Sequence, residues 1–150
     1  MPTSPKEARA FQSILCPVDL SATSRAAVRT ARMLAEQFTA RVSILFVDDP
    51  LLARAALRFD EDELARRTRA ELARFVERAI GAQPRCDYEI VNGDPAEEII
   101  KSVRRIGADL IVMGTQGQSG PKRLFFGSTA EAVLRRSTVP VLAVPPSRTS

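Results

Sequence analysis

Three glycines followed by a serine stand at a spacing that suits phosphate binding. Gly114, Gly117, Gly127 and Ser128 form the pattern G-x2-G-x9-G-S, and Thr129 adds a second hydroxyl group. Glycine lets the backbone approach an anion where a Cβ would collide, and a helix start carries partial positive charge. The pattern therefore predicts a phosphate-binding loop, although it is neither the Walker A nor the dinucleotide pattern. The simpler interpretation, three turn glycines without a ligand, stays open.

An acidic residue at the end of an earlier apolar segment is the second chemical feature. Residues 13–18 read SILCPV and are followed by Asp19. A carboxylate can accept hydrogen bonds from both hydroxyl groups of a ribose, and Pro17 and Val47 offer apolar surface and backbone groups to a purine. Asp19 also suits a purely structural role, because an acid near a helix start interacts favourably with the helix dipole.

Alternating segments of the chain must position these residues. Amphipathic, helix-like segments separate apolar segments of strand length, which are residues 13–18, 41–47, 86–91, 110–113 and 139–144. Such alternation predicts a three-layer α/β architecture, a five-stranded parallel sheet with helices on both faces. Ligands of such sheets bind beyond the carboxyl ends of the strands, where the strand order reverses. The pattern alone does not fix that order.

The helical segments carry further predictions. Three residues are predicted to cap helix starts: Ser21, Asp60 and Asp94. Arg25, Arg29 and Arg32 fall largely opposite the apolar face of the first helix, which predicts a solvated surface. Residues 51–59 are helix-like and follow a strand end, so a lid over the ligand site and a simple connector are equally open interpretations.

Composition bounds the class of protein. The 150 residues, 45% of them hydrophobic and 27% charged, suit one domain, predicted at residues 11–146 between an N-terminal arm and a short tail. No segment has the length of a membrane span or the apolar core of a signal peptide, so a cytoplasmic location is predicted. The chain has no histidine, and Cys16 and Cys86 lie in strand-like segments, where reduced thiols are expected. Zinc-type sites and Ser-His-Asp catalysis therefore lack their usual residues.

Charge is distributed unevenly. Residues 101–150 carry 8 Lys/Arg against 2 Asp/Glu, although the net charge of the whole chain is only +4. This excess predicts a positive field near the glycine loop that attracts a polyphosphate. Nucleic acid is not predicted as a partner, because one Tyr and no Trp offer little surface for base stacking.

The motif has the appearance of a known family. G-x2-G-x9-G-S, the helix after it and the terminal VPVLAV resemble the ATP-binding branch of the universal stress protein family. ILCPVDLSATS resembles that family's first strand and the acid after it. The resemblance implies a Rossmann-like fold with strand order 3-2-1-4-5, a stress-response or regulatory function, and a homodimer formed through residues 139–144.

The resemblance also implies a role for individual residues. It implies that Asp19 binds the ribose and that the backbone near Val47 binds adenine. It also implies that the phosphates are bound by Gly114, Gly117, Gly127 and Ser128. The other predicted contacts lie beside these residues: Pro17, Val18, Met113, Gln116 and Thr129. Gln116 departs from the basic residue or histidine that often precedes the family's second glycine, which would weaken phosphate binding. The implied ligand is ATP, with ADP and AMP as alternatives and Mg²⁺ as a companion ion.

Catalysis is not predicted. An ATPase needs an oriented water molecule and metal ligands, and the evident candidates are Asp19, Asp94 and Ser128. We therefore expect slow or no hydrolysis. Two alternatives stay open, a nucleotide-free dimeric interaction module of the same fold and a weak ATPase or nucleotidyl-transfer enzyme. A two-component receiver domain is disfavoured, because the sequence lacks its acidic pair after the first strand and its lysine after the fifth.

Overall fold

The computed structural model describes residues 11–48, 61–82, 86–115 and 126–146. The strands are β1 (Ser13–Val18), β2 (Arg41–Asp48), β3 (Cys86–Asn92), β4 (Leu110–Gly114) and β5 (Val141–Val144). The helices are α1 (Ala22–Phe38), α2 (Glu61–Ile80), α3 (Pro95–Ile106) and α4 (Ser128–Arg136). Within those ranges, none of the helices combines the length and the hydropathy of a membrane span. The lid or connector predicted for residues 51–59 and the cap predicted at Asp60 fall outside the described residues.

These strands form one parallel sheet in the order β3-β2-β1-β4-β5. The predicted fold class and the strand order that the resemblance implies are both confirmed. Since β1 lies between β2 and β4, the chain changes its direction of travel across the sheet between β3 and β4. The carboxyl ends of β1 and β4 therefore flank the position where ligands bind in sheets of this kind.

Helices cover both faces of the sheet. Alternate strand side chains pack beneath α1 and α2 on one face and beneath α3 and α4 on the other. Ile14 and Ile44 form the centre of the first layer, and Leu15 and Leu45 the centre of the second, all fully buried. Burying a side chain of this size contributes about 1.5–3 kcal/mol, so β1 and β2 anchor both layers of the core.

A proline ends the pairing between the two central strands. The Ser13 carbonyl accepts a hydrogen bond from the Asp109 N–H at 2.9 Å, so the backbone of Ser13 faces β4. Alternate residues of a strand face the same neighbour, so Pro17 also faces β4, where it has no N–H to donate. Pairing between β1 and β4 accordingly stops at Leu15 with Ile111. The sheet ladder therefore does not join these strands at their carboxyl ends.

Two arginines of α1 hold α2 in place. The Nε of Arg29 donates to the Ala79 carbonyl at 3.2 Å, and the Nη1 of Arg32 donates to the Ile80 carbonyl. These carbonyls lie at the end of α2, where the helix dipole favours positive charge. Arg29 is exposed, as predicted, but Arg32 is partly buried, so the prediction of a solvated face is wrong for Arg32.

Arg25 departs from that prediction as well. Its side chain is partly buried, and its guanidinium carbon lies 5.9 Å from the centre of the Phe75 ring of α2, within the range of a cation–π contact. All three arginines therefore join α1 to α2. Helical periodicity places them off the apolar stripe of α1, but it does not reveal which neighbouring helix packs beside that stripe.

Two predicted helix caps are confirmed. The Oγ of Ser21 accepts the Ser24 N–H at 3.2 Å at the start of α1. The Oδ2 of Asp94 accepts the Glu97 N–H at 3.0 Å at the start of α3. Both helices begin at the carboxyl edge of the sheet, so these caps fix the ends of the helices that lie nearest the predicted ligand site.

The last strand is shorter than predicted. β5 comprises Val141–Val144 rather than residues 139–144. The Ser137 hydroxyl accepts the Val139 N–H at 3.1 Å and donates to the Val139 carbonyl at 2.7 Å, which places Val139 in the turn after α4. In the described sheet β5 pairs with β4 on one side and lies at the edge on the other.

Both cysteines are free thiols, as expected. Burial raises the pKa of the Cys16 thiol far above its usual range. Burial also raises the pKa of the half-buried Cys86 thiol, against the opposing effect of the nearby Arg32. Both thiols are therefore protonated at neutral pH and are poor nucleophiles.

Asp109 fastens the start of β1 to the start of β4. Its Oδ2 accepts the Gln12 N–H at 2.8 Å and its Oδ1 accepts the Ser13 N–H at 3.0 Å. An ionised acceptor strengthens such bonds, and an amide in its place turns an NH₂ group toward one of the donors. Asp109→Asn is therefore expected to lower the free energy of unfolding by about 2 kcal/mol. Urea unfolding followed by circular dichroism measures this loss.

Asp87→Asn is the matched control for that variant. Asp87 forms an exposed ion pair with Arg41 at 3.4 Å, and pairs of this kind contribute about 0–1 kcal/mol. Its substitution removes the same charge from the same end of the sheet. An equal loss of stability in both variants would show that charge, and not the two backbone hydrogen bonds, accounts for the effect of Asp109.

Candidate functional site

The predicted site residues that the structure describes lie together at the carboxyl edge of the sheet. They are Pro17, Val18, Asp19, Val47, Met113, Gly114, Gly127, Ser128 and Thr129. The helices between parallel strands run back toward the amino edge, so the starts of α1 and α4 belong to the carboxyl edge as well. Gln116 and Gly117, the other two predicted contacts, fall outside the described residues.

The turn after β1 is built around Asp19. Leu20 has φ of 66°, a left-handed conformation that costs a residue other than glycine about 1–2 kcal/mol. The Oδ1 of Asp19 accepts the Ser21 N–H at 3.0 Å and so spans this residue. The carboxylate therefore shapes the turn, which is a structural role different from the helix-dipole interaction expected for it. The same bonds tie the carboxylate to the start of α1.

Ser24 completes the arrangement, although no sequence motif marks this residue. Its hydroxyl donates to the Oδ1 of Asp19 at 2.6 Å and accepts the Asp19 N–H at 3.0 Å. The side chain is only 5% exposed. The spacing in the sequence is a signal for this contact. Ser24 lies five residues after Asp19 and in the first turn of α1, from which its hydroxyl reaches the carboxylate.

Gly114 is required for packing, whether or not a ligand binds. A Cβ built on Gly114 would lie 2.6 Å from the Cγ2 of Thr23 and 3.3 Å from the carbonyl carbon of the same residue. The first turn of α1 therefore lies directly against the end of β4. This contact brings the Asp19 turn next to the end of β4, and it explains the glycine by sterics alone.

The start of α4 has the features of an anion site. Its N-cap is Gly127, which has no side chain to accept the first N–H groups of the helix. The N–H groups of Ser128, Thr129 and Ala130 have no acceptor within the helix. The N–H of Gly127 differs, because it donates to the Thr115 carbonyl at 2.7 Å. An anion at this position would meet the three amides after Gly127 rather than that of Gly127 itself.

Most of the chain matches a family model. Residues 10–145 match the model of the universal stress protein family. The chain belongs to the universal stress protein family.

Individual relatives agree with this assignment. A universal stress protein of Thermus aquaticus is 35% identical over 135 residues, which cover 89% of this chain and 98% of the relative. The structure of the universal stress protein UspA from Lactobacillus plantarum has a TM-score of 0.70 at 29% identity and covers 91% of this chain and 99% of its own. A universal stress protein solved in complex with cAMP has a TM-score of 0.64 at 27% identity and covers 92% and 99%.

In this universal stress protein, two predicted contacts have side chains in the core. Val18 packs in the layer beneath α1 and α2, and Met113 in the layer beneath α3 and α4. Only their backbone groups remain for a ligand. Val47 is half-buried and follows Phe46, which pairs with Val18, so it lies beside the end of β1.

The basic residues of the C-terminal third are concentrated elsewhere. Five of the 8 Lys/Arg in residues 101–150 lie on α3 and α4, and they are Lys101, Arg104, Arg105, Arg135 and Arg136. The four arginines occupy the last turns of these helices, where they complement the helix dipoles at the amino edge of the sheet. Lys122, Arg123 and Arg148 fall outside the described residues. In the described part of residues 101–150, most basic side chains therefore lie toward the ends of α3 and α4 rather than at the start of α4.

Proposed function

We propose that this universal stress protein binds ATP at the carboxyl edge of its sheet and acts as a dimeric regulatory protein with slow or no hydrolysis. The observation that carries the proposal is the uncapped start of α4 at the same sheet edge as the Asp19 turn. The relative in complex with cAMP supports an adenine nucleotide as the class of ligand. ADP and AMP fit the same contacts and are alternatives to ATP.

Each part of the nucleotide has a partner of suitable chemistry in this proposal. The amides of Ser128, Thr129 and Ala130 take the phosphates, because these donors have no acceptor within the helix and lie at its positive end. The Asp19 carboxylate takes the ribose hydroxyls as an acceptor. Backbone groups near Val47 take the adenine edge at the end of β2. Mg²⁺ would arrive with the nucleotide, since this ion commonly keeps phosphate oxygens and water as ligands.

Slow or absent hydrolysis fits the roles of the acidic residues. Asp94 caps α3, and Asp19 is assigned to the turn after β1 and to the ribose, so neither carboxylate is assigned to the activation of a water molecule. In the described ranges, no group of three or more His, Cys, Asp or Glu side chains is arranged to hold a metal ion. Phosphate release from ATP is expected to stay at the level of a protein-free control, and release above it would favour the weak ATPase alternative.

Direct binding measurements test the proposal. Mass spectrometry of small molecules released when the purified protein is denatured is expected to detect an adenine nucleotide. Calorimetric titration of nucleotide-stripped protein with ATP and Mg²⁺ is expected to show saturable binding. Absence of both signals would contradict the proposal and favour the nucleotide-free interaction module.

The homodimer is the second part of the proposal. β5 lies at the sheet edge, and edge strands with exposed apolar residues invite pairing with another chain. Leu142 of β5 is 39% exposed and projects on the face covered by α1, since its neighbour Val144 packs in that layer. Two copies joined along β5 would cover this side chain.

Leu142→Lys is expected to shift the protein from dimer toward monomer. In a symmetric dimer, a two-fold axis between the two β5 strands would bring the two introduced ammonium groups close together. Their repulsion adds to the lost apolar contact. Light scattering coupled to size-exclusion chromatography measures the mass across a dilution series. Ala73→Lys on the exposed face of α2 is the control that should remain dimeric. An unchanged dimer dissociation constant in Leu142→Lys would exclude β5 as the interface.

A further inference from the structure

We propose that Ser24 is a positioning residue that determines how strongly the site discriminates by the sugar of the nucleotide. This inference rests on the proposed function, because it concerns the way Asp19 receives the ribose. Ser24 itself would not touch the ligand. It would act by holding the carboxylate in one orientation.

The hydrogen bonds of the Ser24 hydroxyl support a positioning role. A serine hydroxyl has one proton to donate and two lone pairs that accept. The proton goes to the Oδ1 of Asp19 at 2.6 Å, and the lone pairs accept the Asp19 N–H at 3.0 Å and the Ser21 hydroxyl at 3.3 Å. Because the side chain is buried and all three capacities are used, Ser24 has no group left for a nucleotide.

The same bonds fix the plane of the carboxylate. Two donors meet at the Oδ1 of Asp19, the Ser24 hydroxyl at 2.6 Å and the Ser21 N–H at 3.0 Å. The Ser24 hydroxyl also accepts the backbone N–H of Asp19. One hydroxyl group therefore binds both the backbone and the side chain of Asp19. Without Ser24, the Oδ1 of Asp19 would keep only the backbone donor of these two, and the carboxylate would be held less firmly in this orientation.

Rotation of the Asp19 carboxylate would weaken the hydrogen bonds from the ribose hydroxyl groups more than it would weaken the binding of the phosphates. Ribose hydroxyls need acceptor lone pairs at fixed positions, because a hydrogen bond weakens steeply when it is misaligned. Phosphates bound by the amides at the start of α4 do not depend on that orientation. Loss of Ser24 should therefore lower the preference for a sugar with hydroxyl groups while leaving most phosphate affinity in place.

The test compares ATP with 2′,3′-dideoxy-ATP, which lacks both ribose hydroxyls. Calorimetric titration with each nucleotide in the presence of Mg²⁺ gives the ratio of their affinities. Ser24→Ala is expected to lower this ratio about three- to tenfold relative to the unsubstituted protein. Ser24→Thr retains a hydroxyl and is expected to restore most of the ratio. In an Asp19→Ala background, Ser24→Ala should have no further effect on it.

Asp109→Asn serves as the control for general destabilisation. It acts at the amino edge of the sheet and is expected to lower stability, yet it should leave the ratio unchanged. An unchanged ratio in Ser24→Ala would overturn the inference while ATP binding stands. A ratio near one in the unsubstituted protein would also overturn it, because Asp19 would then not bind the sugar. Absence of binding to either nucleotide would remove the proposed function itself, and the inference with it.

Discussion

Gly127→Asp is expected to weaken ATP binding about 100-fold while the protein stays folded. Gly127 has φ of −60° and ψ of 158°, the extended conformation of an ordinary N-cap residue. An aspartate there would accept the N–H groups at the start of α4 and place negative charge where the phosphates are proposed to bind. The same side chain caps the helix, so stability is expected to rise by a few tenths of a kcal/mol. Calorimetric titration and thermal unfolding measure the two effects.

Two substitutions at the same position separate the causes. Gly127→Ser supplies a neutral cap, so it should occupy an amide without repelling phosphate and should show an intermediate loss of affinity. Gly127→Ala supplies neither cap nor charge and should bind ATP nearly as well as the unsubstituted protein. A rise in stability together with a fall in ATP affinity in Gly127→Asp would indicate that the start of α4 lacks a side-chain cap because a ligand binds there. Full ATP affinity in Gly127→Asp would exclude the start of α4 as the phosphate site.

Gly114→Ala is expected to lower the free energy of unfolding by about 2 kcal/mol, with or without nucleotide. The new Cβ would lie 2.6 Å from the Cγ2 of Thr23, so the first turn of α1 must move away from β4. That movement would shift the Asp19 turn as well. Urea unfolding of the nucleotide-free protein measures the loss.

Thr23→Ser is the partner substitution for this prediction. It removes the Cγ2 atom and leaves the 3.3 Å approach to the Thr23 carbonyl carbon. The double variant should therefore be more stable than the sum of the single losses predicts, since residues in contact couple by about 0.5–3 kcal/mol. Strict additivity would show that the contact is relieved in another way. Weak ATP binding in a Gly114 variant is evidence for a phosphate contact only when the fold is shown to be intact.

The features that the sequence predicts well are local ones. The strand at residues 13–18 is found with its predicted bounds. Its end can be predicted because Pro17 and Asp19, which disfavour continuation of a strand, lie next to that end. The caps at Ser21 and Asp94 are found for the same reason. The strand order is implied only by the resemblance to the family, since periodicity within one strand carries no information about its neighbours.

The features that the sequence misses depend on which elements touch. The arginines of α1 contact α2 because of tertiary packing, and the amphipathic pattern of α1 alone describes them as solvated. Gly114 has the spacing of a phosphate-loop glycine, yet its nearest neighbour is the Thr23 side chain of another element. Ser24 lacks a motif of its own, and its importance becomes visible only when its distance to Asp19 is known.

The hydrogen bond between the Thr115 carbonyl and the Gly127 N–H has a consequence for how this protein can be altered. It joins the two ends of the segment 116–126 at its base, while the Thr115 N–H is itself fixed to the Val144 carbonyl at 3.0 Å. Because the entropy of closing a loop grows only slowly with its length, a change in the number of residues between Thr115 and Gly127 is expected to cost little stability. The sheet and the start of α4 are therefore expected to tolerate changes in the length of chain that separates these two hydrogen-bonded residues.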